Sequence, residues 1–328
     1  MRLTAPLVFE PLFMDRVWGG RRMESHFGKT LPSHGRIGES WELVDRPEAQ
    51  SVVHNDALRG KTLHELWTDY RKEIFGERLA PSARFPLLIK LLDARERLSV
   101  QVHPPAEIAP ALNGEPKTEM WYILDNYGDG DIFAGLRQGV TRDSFEQALH
   151  AGTVHETVHR IPVVPGDCIF IPSGRIHAIG AGNVIVEVQQ NSDTTYRVFD
   201  WNRVGLDGKA RQLHIEESLK SIDFSDFEPP LQPRGAEPLV HCPYFHVEKW
   251  NITAPLETVP PGEFAIFTVL TGTVTSCGSE FKQGEFFLVP AALEDRILHP
   301  GADGASLLRT TSPKSQGRAP VRMRETFY

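Results

Sequence analysis

The chain has 328 residues, of which 40% are hydrophobic and 24% are charged, as in globular proteins with one large or two compact domains. Its formal net charge of −8 argues against a general nucleic-acid-binding protein, because such a protein needs a basic surface to neutralise phosphates. An anionic small molecule is compatible with this charge, since its binding requires a few local cations and not a basic surface.

We expect neither a signal peptide nor a membrane span, and we therefore predict a cytoplasmic protein. Pro6, Glu10 and Pro11 interrupt the apolar residues near the start of the chain, so we expect no signal peptide. We expect no membrane span either, because no apolar run of the sequence reaches the roughly 18 residues that a span requires. The cysteines lie far apart and form no CxxC pair, which indicates reduced thiols rather than a disulfide framework; they are Cys168, Cys242 and Cys277.

Short apolar segments bounded by glycine and proline recur along the chain and predict an all-β fold. The predicted strands are 85–92, 98–102, 119–124, 168–171, 184–189, 264–270 and 286–289. Helical spacing of apolar residues is confined to a few segments: 63–75 behind the N-cap candidate Thr62, a segment that begins near Thr141, and 214–221. We interpret these helices as covers on a β scaffold.

A proline-rich segment and an internal repeat predict two domains. Residues 227–238 contain four prolines, which lack the N–H that a sheet interior or a helix requires, so we place a boundary near residue 230. On either side of it, residues 164–172 and 282–290 share a glycine, an acidic residue, four mostly apolar residues and a proline. We therefore predict two related β-barrels in tandem, 1–230 and 231–328.

Four polar residues in the first predicted barrel form a candidate metal site. Strand alternation places Gln101 and His103 on one face of their strand, with apolar neighbours on the other face. Glu119 begins a following strand, and His177 comes after the first copy of the repeat, whereas the second copy lacks a histidine there. Each residue alone also fits a structural hydrogen bond or a solvated strand face. Together, two imidazoles, a carboxylate and an amide suit a divalent metal of the zinc class.

The second half of this set resembles the metal-binding motif of the cupin superfamily, G-x5-P-x-G-x2-H. Gly166, Pro172, Gly174 and His177 match it position by position. The first cupin motif usually begins with a histidine, and here Gln101 stands in its place. That substitution is similar to what the type I phosphomannose isomerases show.

The resemblance to the short bacterial form of that family runs over most of the chain and becomes looser past residue 230. Its blocks are 11–20, 37–43, 85–92, 99–104, 117–122, 171–180 and 189–201. It implies two tandem cupin-like jelly-roll barrels, the first catalytic with helical additions and the second degenerate. It also implies interconversion of mannose 6-phosphate and fructose 6-phosphate through a cis-enediol, with one Zn²⁺ or another divalent metal. The implied ligands are Gln101, His103, Glu119 and His177.

The same resemblance assigns three further residues to the active site. Arg197 matches an active-site arginine, and we expect it to stabilise the enediolate rather than bind the phosphate; the alternative is a surface ion pair with Asp193 or Asp200. Glu187 matches a carboxylate suggested for proton transfer, although a structural salt bridge also suits it. Lys117 matches a lysine of the same pocket and could contact a phosphate or hydroxyl group; its alternative is a solvated strand residue.

Two functions from other classes compete with the isomerase. A cupin oxygenase with non-haem iron could use His103, His177 and Glu119, but Gln101 and the residues 194–197 argue against it. A sugar-binding cupin without catalysis would need no ligand set. We therefore expect an isomerase that binds a small sugar phosphate, binds neither nucleic acid nor membrane, and is a monomer.

Overall fold

The computed structural model describes residues 3–313, which form mainly antiparallel β-structure. The strands are β1 Leu12–Gly20, β2 Ile37–Leu43, β3 Asp45–Arg46, β4 Ala49–Gln50, β5 Leu87–Ala94, β6 Val100–Val102, β7 Glu119–Asn126, β8 Asp131–Leu136, β9 Val158–Pro162, β10 Cys168–Ile171, β11 His177–Ile179, β12 Asn183–Gln190, β13 Tyr196–Phe199, β14 Val240–His241, β15 His246–Ile252, β16 Leu256–Glu257, β17 Ala265–Ser276, β18 Ser279–Lys282, β19 Phe286–Val289 and β20 Ile297–Thr311. The α-helices are α1 Arg22–Ser25, α2 Leu63–Asp69, α3 Arg71–Phe75, α4 Arg142–Ala151 and α5 Ile215–Ser221. The predicted all-β fold with a few helices is confirmed.

The helices begin where the sequence predicts, but the first one is interrupted. Thr62 caps α2 through a capping box, in which its hydroxyl accepts from the Glu65 N–H while the Glu65 carboxylate accepts from the Thr62 N–H. At Tyr70 the backbone leaves helical geometry, with φ −126° and ψ 24°, so the predicted helix 63–75 is two short helices. Thr141 caps α4 through a similar box with Ser144.

Two antiparallel sheets form the first barrel. One has the strand order β1-β2-β5-β12-β7-β10, and the other has the order β13-β6-β11-β8-β9. Apolar side chains from both sheets pack together in the interior, among them Leu92, Ile123, Ile132, Ile169, Ile179 and Ile185. The inward positions next to these side chains carry the polar residues of the candidate site, so the interior is divided into an apolar part and a polar part.

The outer faces of both sheets are covered. Helices α2 and α3 pack on the outward residues of the first sheet, in a core cluster that includes Trp67, Phe75, Ile89 and Val186. Helices α4 and α5 and the segments that follow them lie near the outward face of the second sheet, where Val100 and Val102 pack with Phe145 and Ile222. Since strand alternation directs Val100 and Val102 outward, Gln101 and His103 face the interior, as predicted.

Strands β14 to β20 form a further antiparallel sheet in the C-terminal part of the chain. The two copies of the predicted repeat have the same local structure: Gly166 and Gly284 adopt positive φ, and a strand that starts two residues later ends before a proline. Leu7 pairs with Leu288, and the core cluster on the outer face of the first sheet continues into this region. The division of the chain at residue 230 stays a prediction.

No helix within residues 3–313 is long and apolar enough to cross a membrane. The three cysteines are free thiols, of which Cys168 and Cys242 are buried.

Candidate metal centre and active-site cavity

The four predicted metal ligands converge from three strands of the first barrel. Gln101 lies in β6, and His103 follows the end of that strand. His177 begins β11 and lies directly opposite Gln101 in the antiparallel register. Glu119 begins β7 on the facing sheet. The residues come together because strand ends of both sheets meet at the same end of the barrel interior.

The histidines and the carboxylate lie within metal-binding distance of one another. Nε2 of His103 is 3.4 Å from one carboxylate oxygen of Glu119, and Nε2 of His177 is 3.5 Å from the other. One ligand atom from each of the three residues lies within 4.8 Å of the other two, and the three side chains are buried. One ion placed between them could therefore contact all three residues.

Backbone carbonyls orient both imidazoles toward this point. Nδ1 of His103 lies 2.8 Å from the carbonyl oxygen of Thr194, and Nδ1 of His177 lies 2.8 Å from that of Arg175. A carbonyl can only accept, so each Nδ1 carries the hydrogen and each Nε2 presents a lone pair to the centre. Within residues 3–313, Nε2 of His103 and Oε1 of Glu119 are buried without a hydrogen-bond partner. These buried acceptors fit a bound cation, because leaving them unpaired is costly.

The electrostatics keep these groups in the forms that bind metals. Burial lowers the pKa of His103 to about 4, and it also lowers the pKa of His177. Burial raises the pKa of Glu119, but opposing interactions, of which the nearby charge of Lys117 is the largest, outweigh that effect and hold the pKa well below its usual value. The imidazoles are thus neutral and the carboxylate is ionised at neutral pH, as metal ligation requires.

Gln101 lies beside the three residues through its side-chain amide. The amide nitrogen is 3.3 Å from Nε2 of His177, while the amide oxygen is 3.5 Å from the hydroxyl of Ser99. A half-turn of the amide exchanges its oxygen and nitrogen and directs the oxygen to the centre. Gln101 lies where a fourth, uncharged ligand would come from.

A cavity of about 580 Å³ opens beside Gln101 and is lined by each of the three other predicted site residues, Lys117, Glu187 and Arg197. Nζ of Lys117 lies 2.7 Å from a Glu119 oxygen. Burial lowers the pKa of Lys117, but the nearby carboxylates, Glu119 foremost, together raise it by more than burial lowers it. The pKa therefore lies above its usual value and the ammonium group stays charged. Lys117 is buried rather than a solvated strand residue. The structure therefore brings all seven predicted site residues to one place.

Glu187 faces the cavity from β12 and is held by two donors. The indole N–H of Trp121 donates to one carboxylate oxygen at 3.1 Å, and Nζ of Lys90 lies 3.1 Å from the other. The apolar neighbours Val186 and Val188 point to the outer core, as alternation predicts. Glu187 thus lies in the pocket, as the resemblance implies, and also forms a salt bridge, which was the alternative.

Arg197 differs from the other cations of the cavity. Its Nη1 donates to the backbone carbonyl of Gln212 at 2.9 Å, whereas its Nε is buried without a partner among the described residues. Asp200, the suggested alternative partner, pairs with Arg203 and Arg211. Burial, followed by the charge of Arg211, lowers the pKa of Arg197. Within residues 3–313 no carboxylate forms an ion pair with Arg197, so its guanidinium can serve an anionic ligand.

A network of charged side chains next to Glu187 was not predicted from the sequence. Nζ of Lys90 lies between Glu187 and Glu39, at 3.1 Å and 3.8 Å, and Arg16 pairs with Glu39 at 2.9 Å. The indole N–H of Trp41 also donates to Glu39. The available signal was Lys90 itself, a charged residue inside the apolar run 87–92, which is costly to bury without partners.

Comparisons with known proteins identify the family. Residues 7–132 match a family model described as phosphomannose isomerase type I, catalytic domain. The mannose-6-phosphate isomerase ManA of Bacillus subtilis is 38% identical over 303 residues, which cover 88% of this chain and 94% of that protein. The chain belongs to the type I phosphomannose isomerase family. The mannose-6-phosphate isomerase of Streptococcus mutans is 36% identical and covers 87% of this chain, with 94% of its own length matched.

Solved structures agree with this assignment. The crystal structure of the mannose 6-phosphate isomerase from Bacillus subtilis superimposes with a TM-score of 0.82 at 31% identity, covering 94% of this chain and 99% of that one. A structure from Archaeoglobus fulgidus, with a TM-score of 0.75 at 21% identity and coverage of 94% and 98%, shows the fold alone. Membership of the phosphomannose isomerase family favours an isomerase over the oxygenase and the sugar-binding protein.

Proposed function

We propose that the protein interconverts mannose 6-phosphate and fructose 6-phosphate, with a metal ion held by Gln101, His103, Glu119 and His177. One observation carries the proposal: among residues 3–313, a buried His-Glu-His cluster with oriented, unpartnered ligand atoms lies beside a cavity that contains a lysine, a carboxylate and an arginine without an acidic partner. A divalent ion bound there, for which we propose zinc, would act as a Lewis acid that stabilises negative charge on a sugar oxygen.

The side chains of the cavity supply the remaining chemistry. The isomerisation moves a proton from C2 of the aldose to C1 through a cis-enediol, or in the reverse direction. We assign this transfer to Glu187, because a carboxylate can accept the proton and return it, and because Trp121 and Lys90 fix its two oxygens.

Arg197 is our proposed electrostatic stabiliser of the intermediate. Its fixed charge and forked donors suit two adjacent oxygens of an enediolate, and it has no ion-pair partner to lose among residues 3–313. Lys117 is paired with Glu119, so we assign it contact with a substrate hydroxyl or the phosphate through its remaining donors, at the rim between the ligand set and the cavity.

The decisive experiment is an isomerase assay on mannose 6-phosphate with the protein as purified, after chelation, and after zinc is added back. We expect activity to be lost with the metal and restored by zinc. A purified protein that contains zinc but does not produce fructose 6-phosphate would overturn the proposed reaction. Full activity in metal-free protein would overturn the metal requirement and leave the reaction intact.

We also propose a cytoplasmic monomer that binds neither nucleic acid nor membrane. The net charge of −8 and the three free cysteines support this setting. Size-exclusion chromatography with light scattering tests the monomer, since a dimer would double the mass of 36.8 kDa.

A further inference from the structure

A second histidine pair lies outside the proposed active site, where β14 pairs with β15. His241 and His246 are directly opposite each other in the antiparallel register. Their Nδ1 atoms are 2.9 Å apart, and the two rings are nearly perpendicular, with an interplanar angle of 77°. His241 is exposed and His246 is half-buried. Solvent can therefore reach the point between the two nitrogens.

The spacing of the two nitrogens fits a chelate. Two metal–nitrogen bonds of about 2.1 Å that meet at about 90° separate the nitrogens by about 3.0 Å, and a tetrahedral angle separates them by about 3.4 Å. The observed 2.9 Å matches the first value and is within a small side-chain rotation of the second. Cross-strand pairing fixes both Cα positions, so little backbone entropy remains to be lost on binding.

The surroundings of His246 set its tautomer for metal binding. Its Nε2 lies 3.3 Å from one oxygen of Glu248, and Arg309 donates to the other oxygen at 2.7 Å. A carboxylate only accepts, so Nε2 of His246 carries the hydrogen and its Nδ1 is left with a lone pair. A carboxylate behind an imidazole in this way is the usual support of a metal-bound histidine. For His241, exposure allows Nε2 to carry the hydrogen while Nδ1 becomes the second ligand.

A cavity of about 720 Å³ lies beside the pair and is lined by His241 and His246, with Cys242 and Arg309. The cavity gives an ion between the imidazoles room for water or a small anion in its remaining positions. Two neutral nitrogen ligands with open positions suit zinc, nickel, cobalt or copper ions rather than magnesium or calcium.

We propose that His241 and His246 form a second binding site for a divalent transition-metal ion, weaker than the proposed active-site centre, with Glu248 as a positioning residue. Both Nδ1 atoms bind the ion, and Glu248 holds the ring of His246 in place. The site is separate from the barrel interior and does not depend on the proposed isomerase reaction.

Titration of the zinc-loaded enzyme with Ni²⁺ in a calorimeter tests the proposal. We expect about one additional Ni²⁺ per chain, while the zinc content, measured before and after, stays constant. His241→Gln and His246→Gln should each weaken Ni²⁺ binding at least about tenfold, and Glu248→Gln should weaken it roughly tenfold. Isomerase activity should be unchanged in His241→Gln, because this exposed residue lies outside the active-site cavity.

The matched control is His54→Gln, which removes an exposed histidine whose Nδ1 lies 3.6 Å from a carboxylate oxygen of Glu10. It should bind Ni²⁺ as the wild type does. His103→Ala should lose isomerase activity and keep the additional Ni²⁺, which separates this site from the active site. The proposal would be overturned if the wild type bound no additional Ni²⁺, or if His241→Gln and His246→Gln bound it with the affinity of the wild type. Either result would leave a simple hydrogen bond between the two imidazoles.

Discussion

Replacement of Arg197 by alanine should separate catalysis from stability. The guanidinium has one backbone acceptor, the carbonyl of Gln212, and its Nε is buried without a partner within residues 3–313. Its removal leaves no unpaired buried carboxylate, so we expect the free energy of unfolding to change by about 1 kcal/mol or less. If the group stabilises the enediolate, loss of its donors should lower kcat by roughly 10² to 10³, or about 3 to 4 kcal/mol of barrier.

Steady-state kinetics on mannose 6-phosphate, together with urea unfolding, measures both effects. Arg197→Lys keeps the charge but not the fork, so it should recover part of kcat. A raised KM with unchanged kcat would indicate uniform binding of the phosphate and refute the enediolate role. Arg296→Ala is the control, since Arg296 is a largely buried arginine that donates to backbone carbonyls of the C-terminal sheet region; it should lose stability and keep kcat.

Three further predictions concern charge, pH and local structure. Lys90→Met leaves the buried carboxylates of Glu187 and Glu39 without their shared cation, so it should cost about 3 to 5 kcal/mol of stability in urea unfolding and lower kcat. In chelated protein, His103 takes up its proton at pH about 4 when folded and near 6.5 when unfolded. Acidification from pH 6.5 to 4 should therefore destabilise the fold, by on the order of 3 kcal/mol more than in His103→Gln, and an equal loss in both proteins would contradict this. Thr62→Ala removes the α2 cap and should cost about 1 kcal/mol in thermal or urea unfolding, without a change in kcat.

Features set by neighbouring residues could be predicted from the sequence. The strands Cys168–Ile171 and Phe286–Val289 have the predicted bounds, because a glycine turn precedes each and a proline follows it. The caps at Thr62 and Thr141 depend on the residue three positions later in the same way. The break at Tyr70 was missed because the apolar spacing continues across it. Periodicity reports which face is buried and not whether the backbone hydrogen bonds continue.

Contacts between distant strands could not be predicted from spacing alone. Lys90 and Glu187 meet because β5 and β12 are neighbours with these two residues directly opposite in the register. Nothing local to either residue encodes that pairing. Asp200 shows the same limit at short range: Arg197 and Arg203 each lie three residues away, and spacing alone does not tell that the partners are Arg203 and Arg211.

The charges inside the barrel explain why Arg197 is singled out. Buried ions are costly unless they are paired, and within the described residues four cavity cations have carboxylate partners within 4 Å: Lys90 with Glu187, Lys117 with Glu119, Arg16 with Glu39, and Arg211 with Asp200. Such pairs contribute little net stability, yet they fix the positions of the lysines and carboxylates around the cavity. Arg197 has no such partner among the described residues, so its positive charge next to Gln101 is not engaged in an ion pair. That charge favours an anionic substrate or intermediate over a neutral sugar, which connects the geometry of the site to a sugar phosphate.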